Sequence, residues 1–542
     1  MSNDEQKEPL SAEEDRFSAF DEPVRPDEKK PKKKGRLSPR VRTLIYAAVA
    51  VVLLAVILLL VLWLPRFITP AESSGEPSSV DTVTYTVYDH SADTAEIKVT
   101  AVQVQKGDTS YTVRYNEKDK VYRLDGYEDL TLDTTSVDSL VGAATTLIAD
   151  DKIATVGDLA DYGLAAPQAT ATITYADGKT AVLHIGNETP ATGSYYCRVD
   201  GDENVYMIES GSVSAFLLDD YSFVSTTLFS APTVKEGDND GTPVIKKLVL
   251  TGKAHPQRLA IKRNGGNAEE TLSYFTYLIT EPYRRGTTQA AVDTLTAFTQ
   301  LNATSAVILH PTAAQKAQLG FNDPYAVMDL TMAVETSSAD ESADVTVVEY
   351  YNAFDVKITI GSRDADSGDY LVMIPGSDVI YLVSSATLSG VAEMQYSDIV
   401  SASLFLRNIS EVSHIDVAFE GNSYRFDLAH TFDDTGSDVE MTVTCGGKTY
   451  DTENFRTLYQ LMMMLDRYGA ADQQPSGTPA LHMAICGDNS ENDFAADFYA
   501  TGANIYTVRT TEGELFTVRA SAVSNFIKQA KNYLNGETVL GL

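Results

Sequence analysis

The sequence predicts an α+β fold: tandem repeats of antiparallel sheet packed with helices, preceded by one transmembrane helix. Three observations carry this. Residues 195–216 (YYCRVDGDENVYMIESGSVSAF), 370–391 (YLVMIPGSDVIYLVSSATLSGV) and 505–526 (IYTVRTTEGELFTVRASAVSNF) align without a gap at offsets of 175 and 310. Within each larger unit, strands of period-2 apolar alternation precede a segment whose apolar residues recur on one helical face. Residues 44–64, from Leu44 to Leu64, form an uncharged run of 21.

The elements follow in order. Residues 1–43 are polar and rich in Glu, Lys and Pro, and predict a disordered cytoplasmic tail. At about 1.5 Å per residue the run 44–64 reaches about 30 Å, the thickness of a bilayer core. Eight Lys and Arg between Lys29 and Arg42 precede it, and only Arg66 follows closely. That asymmetry predicts a single-pass protein of the cell membrane, amino terminus cytoplasmic, with the bulk of the chain extracellular. Residues 65–80 read as a linker.

Three units fill the rest: repeat unit one at 81–232, repeat unit two at 243–407, and a shortened repeat unit three at 411–542. Their helix starts align as Val137-Asp138-Ser139-Leu140, Val292-Asp293-Thr294-Leu295 and Phe455-Arg456-Thr457-Leu458. Units one and two share a turn, Tyr162-Gly163-Leu164-Ala165-Ala166-Pro167 against Leu319-Gly320-Phe321-Asn322-Asp323-Pro324. The glycine suits the left-handed end of a short helix, and the proline stops it from continuing. Asp177-Gly178 marks a hairpin between two strands. Ile185-Gly186 recurs as Ile360-Gly361. Residues 223–229 (FVSTTLF) match 399–405 (IVSASLF) and read as a tail of units one and two that unit three lacks.

This pattern, Y-G-L-x-x-P, strand, D-G, strand, I-G and then Y-Y…V-Y-x-I, resembles the bacterial family of domain of unknown function 4340. The matching residues are Tyr162, Gly163, Leu164, Pro167, Asp177, Gly178, Ile185, Gly186 and residues 195–208, with Gly320, Pro324, Ile360 and Gly361 as their counterparts in unit two. They are turn and hairpin residues, so the resemblance specifies fold more than activity. It implies a membrane-anchored accessory subunit of an ABC-type transporter of the gliding-motility type, with no catalytic residues to carry over.

Composition narrows the partners. The net charge is −34, and residues 67–542 hold 66 acidic against 30 basic residues. Such a surface repels polyanions, so nucleic acid is excluded as a partner. Cys197 stands where the second copy has Val372, which suggests a core-facing thiol. Cys445 and Cys486 share unit three and leave one disulfide open.

The usual chemical motifs are missing. Seven histidines are scattered singly, without a zinc spacing. No P-loop, G-x-S-x-G or S-x-x-K occurs. Residues 236–241 (EGDNDG) resemble the start of a calcium loop, but Lys247 stands where a bidentate Glu belongs. Asp150-Asp151 and Asp219-Asp220 read as solvated helix ends, and Met462, Met463 and Met464 as core filling. No catalytic, cofactor or metal site is expected. The expected function is a non-enzymatic, extracytoplasmic interaction subunit of a transporter. A cell-wall glycan-binding module using Tyr195, Tyr196, Tyr350 and Tyr351 is the alternative, and a hydrolase with a dispersed site the third.

Overall fold

The computed structural model describes residues 84–541 apart from 154, 191–192, 234–240, 266–273, 341–344, 406, 434–437, 472, 488–489 and 491–492. The expected tail 1–43, the run 44–64 and the linker 65–80 lie outside the described residues, as does most of the acidic segment 236–241.

The expected transmembrane helix, and the single-pass placement built on it, are not supported. Among the described residues no helix is long and apolar enough to cross a membrane. The helix Ala520–Leu534 is 15 residues long, about 22 Å at 1.5 Å per residue and short of a bilayer core.

The expected α+β balance is also corrected. Among the described residues strand outweighs helix, 46% against 21%, and the pairings are antiparallel throughout the named strands. Local sequence explains part of the shortfall in helix. In unit one the closing helix is only Ser210–Val213, followed by a 3-10 turn. Ser210, Gly211 and Ser212 have low helix propensity. Unit three, with ASAVSNFIKQAKNYL at the same place, builds the full helix Ala520–Leu534.

The three sheets are built on one plan. In unit one, strands Val121–Leu124, Thr109–Asn116 and Val99–Lys106 form a meander. Val99–Lys106 then pairs with Ala169–Tyr175, and Thr180–Glu188, Ser194–Val199 and Tyr206–Glu209 continue the sheet to an edge at Asp151–Lys152. Units two and three repeat this order in nine-stranded sheets, closed at the equivalent edge by Ser305–Leu309 and Arg467–Ala470. In each case the edge strand follows the framework helix in sequence and pairs with the last strand of the hairpin.

Each sheet buries one face. Along Ala169–Tyr175 buried and half-buried residues alternate without a break, so Ala169, Ala171, Ile173 and Tyr175 enter the core while three threonines line the opposite face. The framework helices Thr134–Thr145, Gln289–Ala297 and Thr452–Met463 cover the core side. Their first turns are capped by Asp133, Thr288 and Asp451, whose side chains accept from Ser136, Ala291 and Asn454 backbone N–H groups. Each such cap is worth about 1 kcal/mol. Leu140, Leu295 and Leu458 are each 0% exposed, and burying a leucine contributes about 1.5–3 kcal/mol.

The three cysteines are free thiols. Cys445 pairs across to Phe426 in the core layer, whereas Cys486 pairs with His414 on the opposite face. Their strands are three spacings apart in the sheet, about 14 Å at 4.8 Å per strand and beyond disulfide reach. Cys197 is fully buried, and burial pushes its thiol up to about 12.

Candidate functional site

The motif residues read from the sequence hold the backbone together. Leu159–Tyr162 is a 3-10 turn, and Gly163 ends it at φ 72° with its N–H on Ala160 O at 3.1 Å. Leu164 then packs at 8% exposure. After Pro167, the Gln168 side-chain amide donates to Gly186 O at 2.7 Å. Gly186 is required because a Cβ there would lie 2.2 Å from Tyr162 O. Ile185 is buried beside it, and the ladder to the next strand shifts register immediately afterwards. Asp177-Gly178 makes the turn into the next strand, with Lys179 N–H donating to the Asp177 carboxylate at 2.9 Å.

Unit two repeats the strap. Gly320 stands at φ 85°, Ser362 N–H donates to Leu319 O at 2.7 Å, and a Cβ on Gly361 would lie 2.3 Å from that same oxygen. Ile360 is buried, and its carbonyl accepts from Tyr325, the residue after Pro324. These residues clamp a turn onto a sheet and leave no polar group aimed at a ligand.

Other sequence candidates do not converge. Tyr195 and Tyr196 lie on the unit-one sheet, with Tyr196 edge-on to Tyr162 at 5.1 Å. Tyr350 and Tyr351 lie on the unit-two sheet, where Lys246 sits over the Tyr350 ring. Asp150 lies between two strands, not at a helix end, and Asp219 lies between two 3-10 turns. The Asp219 carboxylate accepts from Lys106 Nζ at 2.6 Å, which holds it below the usual carboxylate range.

Among the described residues no group of three or more His, Cys, Asp or Glu could hold a metal ion. Thr170, His184 and Asp200 do form a chain of contacts, 3.3 Å from Oγ1 to Nδ1 and 2.8 Å from Nε2 to the carboxylate. That chain lies on the bare face of the unit-one sheet, where Arg198, paired across from His184, donates to Asp202 O at 3.0 Å.

The feature with the most distinctive chemistry is the junction of units two and three. Glu514 is 1% exposed, at the turn of the third copy of the hairpin. Its carboxylate accepts from Arg285 Nε at 2.9 Å, Arg467 Nη1 at 2.5 Å and Tyr396 Oη at 2.5 Å. Arg285 also donates to Glu512 at 3.0 Å. Arg285 and Tyr396 belong to unit two, Arg467 and both glutamates to unit three. Burial pushes the Tyr396 hydroxyl up, and the Glu514 carboxylate adds to that shift. The corresponding residues of the other hairpin copies are Asn204 and Val379, so no repeat signal points to Glu514.

Beside this junction lie two adjoining cavities of about 590 and 620 Å3. They share Tyr468, Arg519 and Ser521, and the first is floored by Ala402, Leu461 and Met464. Arg519 lies over the Tyr468 ring at 4.9 Å and makes no ion pair among the described residues. Met464 is 46% and Tyr468 60% exposed, so the methionine run divides: Met462 is core, and Met464 lines a groove. The groove offers an aromatic ring, a cation and a flexible apolar side chain. It contains hydroxyls but no histidine to activate them.

A cavity of about 540 Å3 on the bare face of the unit-two sheet is lined by charges that largely answer one another. Lys357 stands 3.6 Å from Asp329, and Thr331 donates to Asp355 at 2.7 Å.

The fold and this site define a tandem array of antiparallel sheet units, each with one helix-covered and one bare face. Residues 123–324 match the family model described as Domain of unknown function (DUF4340). No curated protein and no solved structure matches the chain significantly.

Proposed function

We propose that the protein is a non-enzymatic interaction subunit, accessory to an ABC-type transporter of the gliding-motility type. The observation that carries this reading is the Glu514 junction. It fixes two sheets against each other with a buried carboxylate, and it sets an open groove of Met464, Tyr468 and Arg519 at that fixed boundary. Rigid presentation of an exposed aromatic and a cation suits recognition of another macromolecule, where such residues dominate binding energy. The groove has no paired acid and base for proton transfer. The transporter as partner rests on the family resemblance alone.

The test is crosslinking of the full-length protein in its native cells, followed by identification of the attached chains. Crosslinks from residues near Tyr468 to transporter subunits are expected. Crosslinking that yields only the protein itself would remove the reading.

A further inference from the structure

Residues 223–229 and 399–405 read as tails of the units they follow, yet their second halves are buried in the units that come next. Leu228 and Phe229 belong to the core of unit two, and Leu404 and Phe405 to the core of unit three. Thr227–Phe229 pairs antiparallel with Leu301–Asn302, Phe229 opposite Leu301, and Ala303 N–H donates to Thr226 O at 2.8 Å. In unit three Arg467 N–H donates to Ala402 O at 2.7 Å. These two bonds are equivalent. Ala303 and Arg467 each lie three residues before the partner of the matching hairpin residue, Ala306 with Tyr381 and Ala470 with Phe516.

Unit one has the same arrangement. Lys152 pairs with Tyr206, the third member of that hairpin set, and three residues before it stands Ala149. Ala149 pairs with Tyr85 of the strand Tyr85–Asp89, and Leu147 pairs with Tyr88. Tyr85, Thr226 and Ala402 are therefore equivalent, and so are Tyr88, Phe229 and Phe405 three residues later. Leu147, Leu301 and Leu465 are the matching buried leucines, 1%, 1% and 0% exposed. With this register the sequences align as well: VTYTVY at 83–88, VSTTLF at 224–229 and VSASLF at 400–405.

We propose that every unit carries a strand-accepting slot beside Leu147, Leu301 or Leu465, and that its ligand is an extended segment of pattern V-[ST]-x-[ST]-[LV]-[FY] lying just before the unit. The aromatic residue enters the core. Tyr88 donates to Ala143 O at 2.9 Å, Phe229 meets Phe298 at 5.9 Å and Phe405 meets Phe494 at 4.6 Å. The valine end bridges back to the preceding unit where there is one, through Val224 with Leu132 and Val400 with Thr287. The segment is thus a tie between units, and the strand Tyr85–Asp89 fills the first slot.

The motif then belongs at the start of a unit rather than at its end. In unit three the stretch after helix Ala520–Leu534 lies against the framework helix Thr452–Met463, where the Asn454 side-chain amide donates to Glu537 O at 2.8 Å and its oxygen accepts from Val539 N–H at 2.7 Å. The matched family range 123–324 likewise takes in the connector.

Hydrogen exchange on the full chain tests this. Phe229→Ala should speed exchange about tenfold in Gln289–Leu309 of unit two while strands 169–209 of unit one keep their protection. Exchange that rises in unit one instead, or in neither unit, would overturn the proposal. A graft guards against simple misfolding. Thr84→Ser, Tyr85→Thr, Val87→Leu and Tyr88→Phe together write the unit-two motif into the first slot. This chain should fold with Thr134–Ala149 protected as in the wild type; loss of protection confined to that segment would also overturn it.

Discussion

Arg285 and Glu514 stand 229 positions apart in the chain, yet Arg285 Nε donates to the Glu514 carboxylate at 2.9 Å with both side chains shielded from water. A carboxylate with only 2% of its side chain exposed persists because two guanidiniums and a phenol replace its hydration. Removing the acid takes the carboxylate from Arg467 and leaves Arg285 with Glu512 alone. Glu514→Ala is expected to cost about 3–5 kcal/mol, measured by chemical unfolding. Glu512 binds the same arginine from a 43% exposed position, and Glu512→Ala should cost less than about 1 kcal/mol. Equal costs would show that the junction is not sealed.

The two strap glycines provide a steric test. Gly186→Ala and Gly361→Ala push a methyl onto a backbone oxygen at 2.2 and 2.3 Å, and each should destabilise by about 2–3 kcal/mol. Gly178 has φ 81° and nothing within 4 Å of a Cβ. Its replacement by Ala should cost only the left-handed backbone penalty, about 1 kcal/mol. Thermal unfolding of the three variants orders them, and a reversed order would contradict the clamp.

Acid sensitivity has a named contributor. Hydrogen bonds from Tyr325 and then Tyr370 hold the Glu393 carboxyl below its ordinary value, helped by Arg363. A carboxyl depressed in the folded state stabilises above its unfolded value, and that stabilisation is lost as pH falls through the folded one. The wild type should therefore lose stability below about pH 4.5 more steeply than Glu393→Gln. Parallel curves of unfolding midpoint against pH would refute the assignment.

The groove should be dispensable for folding. Tyr468 is 60% exposed, and Tyr468→Ala is expected to shift stability by no more than about 0.5 kcal/mol. A larger loss in calorimetry would mark the ring as structural.

Much of the scaffold is legible in the sequence because its causes are local. Alternation in ATATITY fixes which side of a strand is buried, and a glycine before a proline fixes where a turn ends. Helix content is less legible. Ser210-Gly211-Ser212 aligns with a true helix in unit three, but its own propensity supports only one turn. The junction is not legible at all. Arg285 and Glu514 carry no mutual signal, and their copies in other units are different residues. The connector is illegible for a related reason: residues 223–229 follow unit one in sequence, and Phe223 packs in the core of unit one while Leu228 and Phe229 pack in that of unit two.

The measurement that bears most directly on the interaction reading is a titration of the purified full-length protein with the purified transporter subunits recovered by crosslinking. The wild type is expected to bind saturably, and Tyr468→Ala to bind at least about tenfold more weakly, the loss of one interface anchor. No saturable binding, or equal affinity for both proteins, would contradict the account.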